Sequence, residues 1–255
     1  LVEDGIRVRT GSRVSKVEVA GGDTRVHVDG GDAVDVDRVL VAIGRKPSTS
    51  GMGLEDVGVE LDDRRFIRTD DTMATSVPGI WAVGDVAGSL QFTHAANRMA
   101  FVAVRNALAP LAKVKKQRFD AGQVPWATFT SPEIGRVGMT EAEAASVDGR
   151  VAYLPMAEVD RAVATGQTEG FLKLIAGPRP LLRGIGGGRL LGATAVAAVG
   201  GELVHEVALA MRTNMFTGRL AQTVHTYPTW SMAVQQAAAQ FFFEVGGREA
   251  RPATG

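Results

Sequence analysis

Two stretches of this chain end in residues able to hold a polar ligand. Val39-Leu-Val-Ala-Ile-Gly-Arg-Lys-Pro47 closes on Gly44, and Gly79-Ile-Trp-Ala-Val-Gly-Asp-Val86 closes on Gly84 and Asp85. A glycine lets the backbone turn, or approach a ligand, without a Cβ in the way. Asp85 then places a carboxylate where the carboxyl end of a strand opens on a ligand crevice. Downstream, Gln91, Phe92 and Thr93 lead into a helix expected over His94 to Leu108, with Thr93 as its N-cap and Ala95 in its first turn. The start of such a helix offers unpaired backbone N–H groups and the positive end of the macrodipole, which favour an electronegative ligand group. That is chemistry of recognition, not of bond breaking. A plain Gly-Asp turn followed by an ordinary helix cap would account for the same residues.

The elements that must carry these groups can be read from periodicity. Val39 to Ile43 is apolar without alternation, as in a parallel strand covered on both faces, and Ile80 to Val83 repeats the pattern. Residues 1–37 alternate apolar and polar between glycine turns, which is a β-meander with His27 as one of its strand residues. Met52 to Asp70 is a polar, turn-rich excursion holding one short strand at Phe66 to Arg68. From Leu111 to Gln123 the chain turns basic, with Lys113, Lys115, Lys116 and Arg118, and loses its apolar period, so it reads as a linker with a solvated face.

A second domain begins near Val124. Trp126 to Thr130, Val151 to Ala157, Phe171 to Ile175 and Leu190 to Val196 read as strands, and Glu141 to Ser146 as a short helix opened by the capping box Thr140-Glu-Ala-Glu143. Strands without long helices between them imply an antiparallel sheet. Two helices follow, Gly201 to Met215 and Ser231 to Glu244. The stripe of Leu203, Val204, Val207 and Met211 is core, and His205 beside it is structural. Phe241-Phe-Phe243 cannot face one side of a helix, so part of it needs a cover, for which a partner subunit is the simplest source. Pro178 to Arg189, rich in proline and glycine, reads as a long hairpin connection. It precedes a strand and lacks the third glycine, so it is neither a dinucleotide fingerprint nor a P-loop.

With 255 residues and 45% hydrophobic content the chain can bury two cores. Lys plus Arg total 28 against 28 for Asp plus Glu, and that balance argues against nucleic-acid binding, which needs a cationic surplus. No apolar run is long enough for a membrane helix, and Glu3, Asp4 and Arg7 replace a signal peptide's apolar stretch, so a cytoplasmic protein is expected. Cysteine is absent, which removes disulfides, thiolate metal sites and any thiol nucleophile supplied by this chain. The four histidines, His27, His94, His205 and His225, have no ligand-like spacing, so no metal is expected.

Taken in order, five segments resemble the C-terminal half of the flavoprotein pyridine nucleotide-disulfide oxidoreductases, the family of dihydrolipoamide dehydrogenase and mercuric reductase. They are the two glycine-ended stretches, Ser131-Pro-Glu-Ile-Gly-Arg-Val-Gly-Met-Thr-Glu141, Arg189-Leu-Leu-Gly-Ala-Thr-Ala-Val196 and His225-Thr-Tyr-Pro-Thr-Trp-Ser231. The resemblance implies an α/β plus α+β chain: residues 1–37 as the tail of a nicotinamide-binding domain, 38–122 as the C-terminal segment of a Rossmann-like FAD-binding domain with its linker, and 123–255 as an antiparallel-sheet interface domain. It implies FAD and NAD(P)H as cofactors. Asp85 would bind the ribityl chain of FAD, with Gly44 and Gly84 allowing close approach. Gln91, Phe92, Thr93, His94 and Ala95 would line the helix start under the flavin.

The resemblance also implies a homodimer through residues 123–245, whose last loop reaches the partner's active site. Disulfide reductases carry a His immediately before the Pro-Thr of that loop and a Glu after its Ser. Here Tyr227 and Met232 stand at those positions, and His225 lies two residues early, which makes His225 and Tyr227 the candidates for any catalytic role and disfavours thiol chemistry. The family's FAD-pyrophosphate fingerprint, redox cysteines and nicotinamide βαβ unit lie upstream of Leu1, so the chain reads as a fragment, split subunit or remnant whose partner is the missing N-terminal half. The expected function is passage of electrons from NAD(P)H through flavin to an acceptor such as a quinone. A catalytically silent dimerisation module is the alternative.

Overall fold

Alternation at the amino end builds a three-stranded antiparallel sheet in the computed structural model, which describes residues 2, 4–108, 115–179 and 184–255. Its strands are β1 (Val14–Ala20), β2 (Asp23–Val28) and β3 (Val34–Val36), in the order β1-β2-β3. His27 sits on β2 and its Nε2 meets Glu18 Oε2 of β1 at 2.8 Å, a cross-strand pair with no ligand role. Residues Leu1–Lys46 form one compact unit and Pro47–Gly255 a second.

The parallel strand expected at Val39 to Ile43 is not formed. These residues lie outside every strand, and Leu40 and Ile43 are 92% and 93% exposed. The physical reason is pairing: a strand covered on both faces exists only between neighbours, and none pairs with it among the described residues. Ile80 to Val83 is likewise no parallel strand. It turns back on its own excursion, with the bridge Ala74↔Trp81 antiparallel and Ala82 N–H donating to Met73 O at 3.2 Å. The strand expected at Phe66 to Arg68 reduces to one bridge, Leu61↔Ile67.

A 3-10 turn over Gly84–Ala87 then leads to α1 (Thr93–Leu108). Thr93 is the first helical residue and not the cap, since Phe92 O already accepts from Ala96 N at 2.9 Å. Ala95, Met99, Val102 and Ala103 bury one face of α1 against Met73, Phe119 and Val124. Of the basic linker, Lys113 lies outside the described residues. Lys115, Lys116 and Arg118 are exposed, and Arg118 pairs with Asp71.

The remaining residues make a six-stranded sheet, antiparallel throughout. Its strands are β4 (Trp126–Thr128), β5 (Glu133–Gly138), β6 (Arg150–Pro155), β7 (Phe171–Gly177), β8 (Arg189–Ala197) and β9 (Arg251–Pro252), in the order β4-β5-β8-β7-β6-β9. Strand alternation divides the apolar residues between its faces. Ala152, Leu154, Leu172 and Leu174 join the larger core with Leu203, Val204 and Val207 of α4 (Gly200–Arg212) and Ala233, Val234 and Ala237 of α6 (Met232–Ala239). Val151, Ile175 and Leu191 face the other way onto Ala144 of α2 (Glu141–Ala145). Each large side chain so buried contributes about 1.5–3 kcal/mol. The expected capping box of α2 is present, with Glu143 N donating to Thr140 Oγ1 at 3.1 Å and Thr140 N to Glu143 Oε2 at 2.7 Å.

Among the strands and α-helices, β5, β9, α3 (Asp160–Thr165) and α5 (Thr217–Gln222) were not expected. The last long helix is also shorter than expected. It stops at Ala239, so Phe241 to Phe243 leave the helix, with Phe241 in the core and Phe242 and Phe243 exposed. The hairpin connection joins β7 to the neighbouring β8 as expected, although its residues 180–183 lie outside the described set.

Glu141 at the start of α2 fastens the carboxyl terminus to this sheet. Its Oε2 meets Lys173 Nζ of β7 at 2.6 Å and its Oε1 meets Arg251 Nη1 of β9 at 2.5 Å. Burial pushes the Glu141 carboxyl up, but the hydrogen bonds and charges of Arg251 and Lys173 outweigh it and hold the group at about 2 instead of 4.5. A lowered folded-state value means that the pair's stabilisation is complete above pH 4.5 and is lost as pH falls through about 2. Glu141→Gln is therefore expected to flatten the decline of unfolding free energy across that window. Chemical denaturation at stepped pH checks it, and an unchanged slope would remove the ion cluster from the acid response.

Candidate functional site

Gly84 adopts φ 78°, a left-handed conformation that a side chain resists, and a Cβ there would stand 3.3 Å from the Ala96 Cβ of α1. Its N–H points at Met99 Sδ, 3.3 Å away. The turn is thus seated on the helix by its glycine, and Asp85 follows it on the exposed side. Eight residues later α1 begins with Thr93 and His94 exposed, while Ala95 is fully buried and offers only its backbone. The amide groups ahead of Ala96 have no intrahelical carbonyl and give this end its partial positive charge.

His94 is committed elsewhere. Its Nε2 meets Pro125 O at 2.7 Å, and its ring stacks on Phe92 with centroids 5.4 Å apart. Phe92 in turn lies parallel to Trp126 of β4 at 6.3 Å, and the Arg136 guanidinium covers Trp126 at 6.0 Å. This ladder ties the start of α1 to the six-stranded sheet. A cleft of about 830 Å³ opens beside it, lined by Gln91, Phe92, Thr93, His94, Trp126, Phe129, the arginines Arg98, Arg118 and Arg212, and His205 and Glu202 of α4. Asp85 is not among the lining residues. Gly44 belongs to the first compact unit, with φ 110° and open space where a Cβ would be.

The catalytic candidates lie on the loop between α5 and α6. Only 5% of the His225 side chain is exposed. Its Nδ1 faces Thr223 O at 2.8 Å, and its Nε2 faces Glu206 Oε1 at 3.0 Å and Oε2 at 3.1 Å. Both ring nitrogens are engaged by acceptors, so neither is available to take a proton from a substrate in this arrangement. Tyr227 is exposed, and the influence of Asp160 at the start of α3 raises its phenol above the ordinary range. His205 is exposed beside Glu202, 3.7 Å away. Among the described residues no three His, Asp or Glu side chains converge as metal ligands.

Glu206 and Asp160 were invisible to sequence reasoning because they stand on other helices, Glu206 19 positions from His225. Trp126 and Phe129 were read only as strand residues. Trp126, three positions past the end of the linker at Gln123, was the signal available.

Comparison with known proteins agrees with this architecture. Residues 1–100 match the family model described as pyridine nucleotide-disulphide oxidoreductase, and residues 124–238 match that family's dimerisation domain. Dihydrolipoyl dehydrogenase of Thermus scotoductus is 36% identical over 245 residues, covering 93% of this chain and 50% of that protein. Among solved structures, LpdA from Mycobacterium tuberculosis superposes with TM-score 0.83 at 30% identity, over 95% of this chain and 51% of that one. The HOCl-induced flavoprotein disulfide reductase RclA from Escherichia coli gives 0.79 at 27% identity, over 93% and 53%. The chain spans about half the length of the relatives it matches. Because two models of one family cover both parts of the chain, and because the six-stranded antiparallel sheet is where its dimerisation domain should be, this chain belongs to the pyridine nucleotide-disulphide oxidoreductase family.

Proposed function

We propose that this chain supplies the flavin-arm and acceptor-side parts of a FAD-dependent NAD(P)H oxidoreductase whose electron acceptor is not a disulfide but a species such as a quinone. The family is FAD-dependent and takes its electrons from NAD(P)H. When bound, the flavin supplies the two-electron chemistry between nicotinamide and acceptor. The observation that carries the reading is the Gly84-Asp85 turn seated on α1, which puts an exposed carboxylate eight residues ahead of an exposed helix start. Those residues fit the group. A carboxylate accepts hydrogen bonds from the ribityl hydroxyls, and the first-turn amides of Thr93, His94 and Ala95 favour negative charge on the reduced ring.

The loop residues support an acceptor other than a disulfide: Tyr227 and Met232 stand where the disulfide reductases carry a His and a Glu, and both nitrogens of His225 already face acceptors. The alternative of a silent dimerisation module draws on Leu40 and Ile43, whose exposure leaves the neighbouring Gly44 stretch without a sheet. In either reading the dimerisation domain pairs the chain with a second copy through residues 123–245.

Flavin content decides between them. In a polypeptide extended to the length of the relatives, bound FAD per chain is expected from visible absorbance. Asp85→Ala should weaken its binding about ten- to hundredfold, as loss of charge-assisted hydrogen bonds worth about 1.5–3 kcal/mol implies. Unchanged flavin affinity in that variant would remove the assignment, and a colourless extended protein would favour the silent module.

A further inference from the structure

The loop between α5 and α6 alternates sharply in exposure: Val224 and Tyr227 stand out in solvent, while the His225 side chain between them is turned inward. The loop itself supplies one contact toward that, from Thr223 O. What holds His225 is Glu206, in the middle of α4, through hydrogen bonds from Nε2 to both carboxylate oxygens at 3.0 and 3.1 Å. The other nitrogen closes on Thr223 O at 2.8 Å, and the same carbonyl accepts from Gln235 Nε2 of α6 at 2.9 Å. Further along the loop, Thr229 Oγ1 donates to Thr226 O at 2.6 Å. The imidazole therefore joins a loop carbonyl to a helix that is itself fixed in the core by Leu203, Val204 and Val207.

We infer that Glu206 is a positioning residue, which acts through His225 to fix the loop and so sets where Tyr227 stands. This rests on the functional reading above in one respect, that the Tyr227 loop is the acceptor-side loop. The placement itself does not depend on flavin. A loop without the Glu206 contact keeps its own short-range hydrogen bonds, the Gln235 contact and the packing of Trp230 on the larger core, but α4 no longer holds His225 and, through it, the stretch that carries Tyr227.

Tyr227 reports its own position. The chain has two tyrosines, and the second, Tyr153, lies on β6 stacked on Phe171 at 5.1 Å. The Asp160 carboxylate beside it holds the Tyr227 phenol above its ordinary range, so ultraviolet titration of the 255-residue chain follows the loop. Glu206→Ala should return the Tyr227 titration to the ordinary phenol value, as Asp160→Asn should without disturbing the Glu206 contact. Glu206→Gln, which keeps an oxygen facing Nε2, should preserve most of the upward shift. Should the alanine variant fail to fold, His225→Phe, which keeps a planar ring without its hydrogen bonds, makes the same test. A folded Glu206→Ala or His225→Phe chain whose tyrosines titrate as in the parent overturns the inference. Loss of the shift in Glu206→Gln as fully as in Glu206→Ala overturns it also. Because no flavin is needed, failure here is separate from failure of the flavin assignment.

Discussion

Gly135→Ala is expected to destabilise the six-stranded sheet by about 3 kcal/mol or more, at the upper end of the overpacking range. A Cβ built on Gly135 of β5 would lie 2.0 Å from the Gly200 carbonyl oxygen, 2.5 Å from its carbon and 3.0 Å from Gly201 N. All three are backbone atoms, so no rotamer change relieves the clash. The crowding is reciprocal, since a Cβ on Gly200 would meet Glu133 O at 2.5 Å and Ala195 O at 3.0 Å. The first turn of α4 therefore rests directly on β5 and β8, and an added methyl must push the helix away from the core that Leu203, Val204 and Val207 fill. Against a total stability of about 5–15 kcal/mol this is a large fraction. Urea unfolding should show a much lower midpoint with an unchanged slope. An unfolding free energy within about 1 kcal/mol of the parent's would mean that the strand and helix separate at little cost.

Gln240→Leu should cost about 2–5 kcal/mol, one unsatisfied group at a time. Gln240 follows α6, is 1% exposed, and replaces a neighbouring strand for one residue of β6. Its Nε2 donates to Tyr153 O at 3.0 Å and its Oε1 accepts from Tyr153 N at 3.1 Å. On that edge β9 pairs only with Arg150 and Val151, so the side-chain amide extends the pairing to Tyr153. Leucine occupies a similar space and supplies neither a donor nor an acceptor, which leaves a backbone N–H and C=O buried without partners. Hydrogen exchange discriminates this mechanism from general loosening. The Tyr153 amide should lose protection beyond the global change, and if it keeps its protection the amide pair is not what holds the edge.

What the two substitutions have in common is that neither position looked important as a letter in the chain. Gly135 and Gly138, following Ser131-Pro132, have the composition of a turn, and β5 was missed for that reason. They are glycines because α4 and β8 come too close for a side chain, a fact about three dimensions. The short helices α3 and α5 were missed because six residues are too few for a 3.6-residue period to show. Val39 to Ile43 went wrong in the opposite direction. Its unbroken apolar run specifies what the residues require, burial on both faces, and cannot say whether neighbours exist to provide it.

From its sequence alone this protein had already determined whatever depends on neighbours along the chain. The alternation of β1 and β2, the capping box at Thr140 and the apolar stripe of α4 all rest on patterns within a few residues, where residue type and backbone preference are enough. Tertiary structure decided which of these elements meet. It engaged both nitrogens of His225, one of them with Glu206, and drew His94 away to Pro125. Hydrogen bonds of that kind depend on distances across the fold, and those distances follow from how the sheet and helices pack, which no local pattern records.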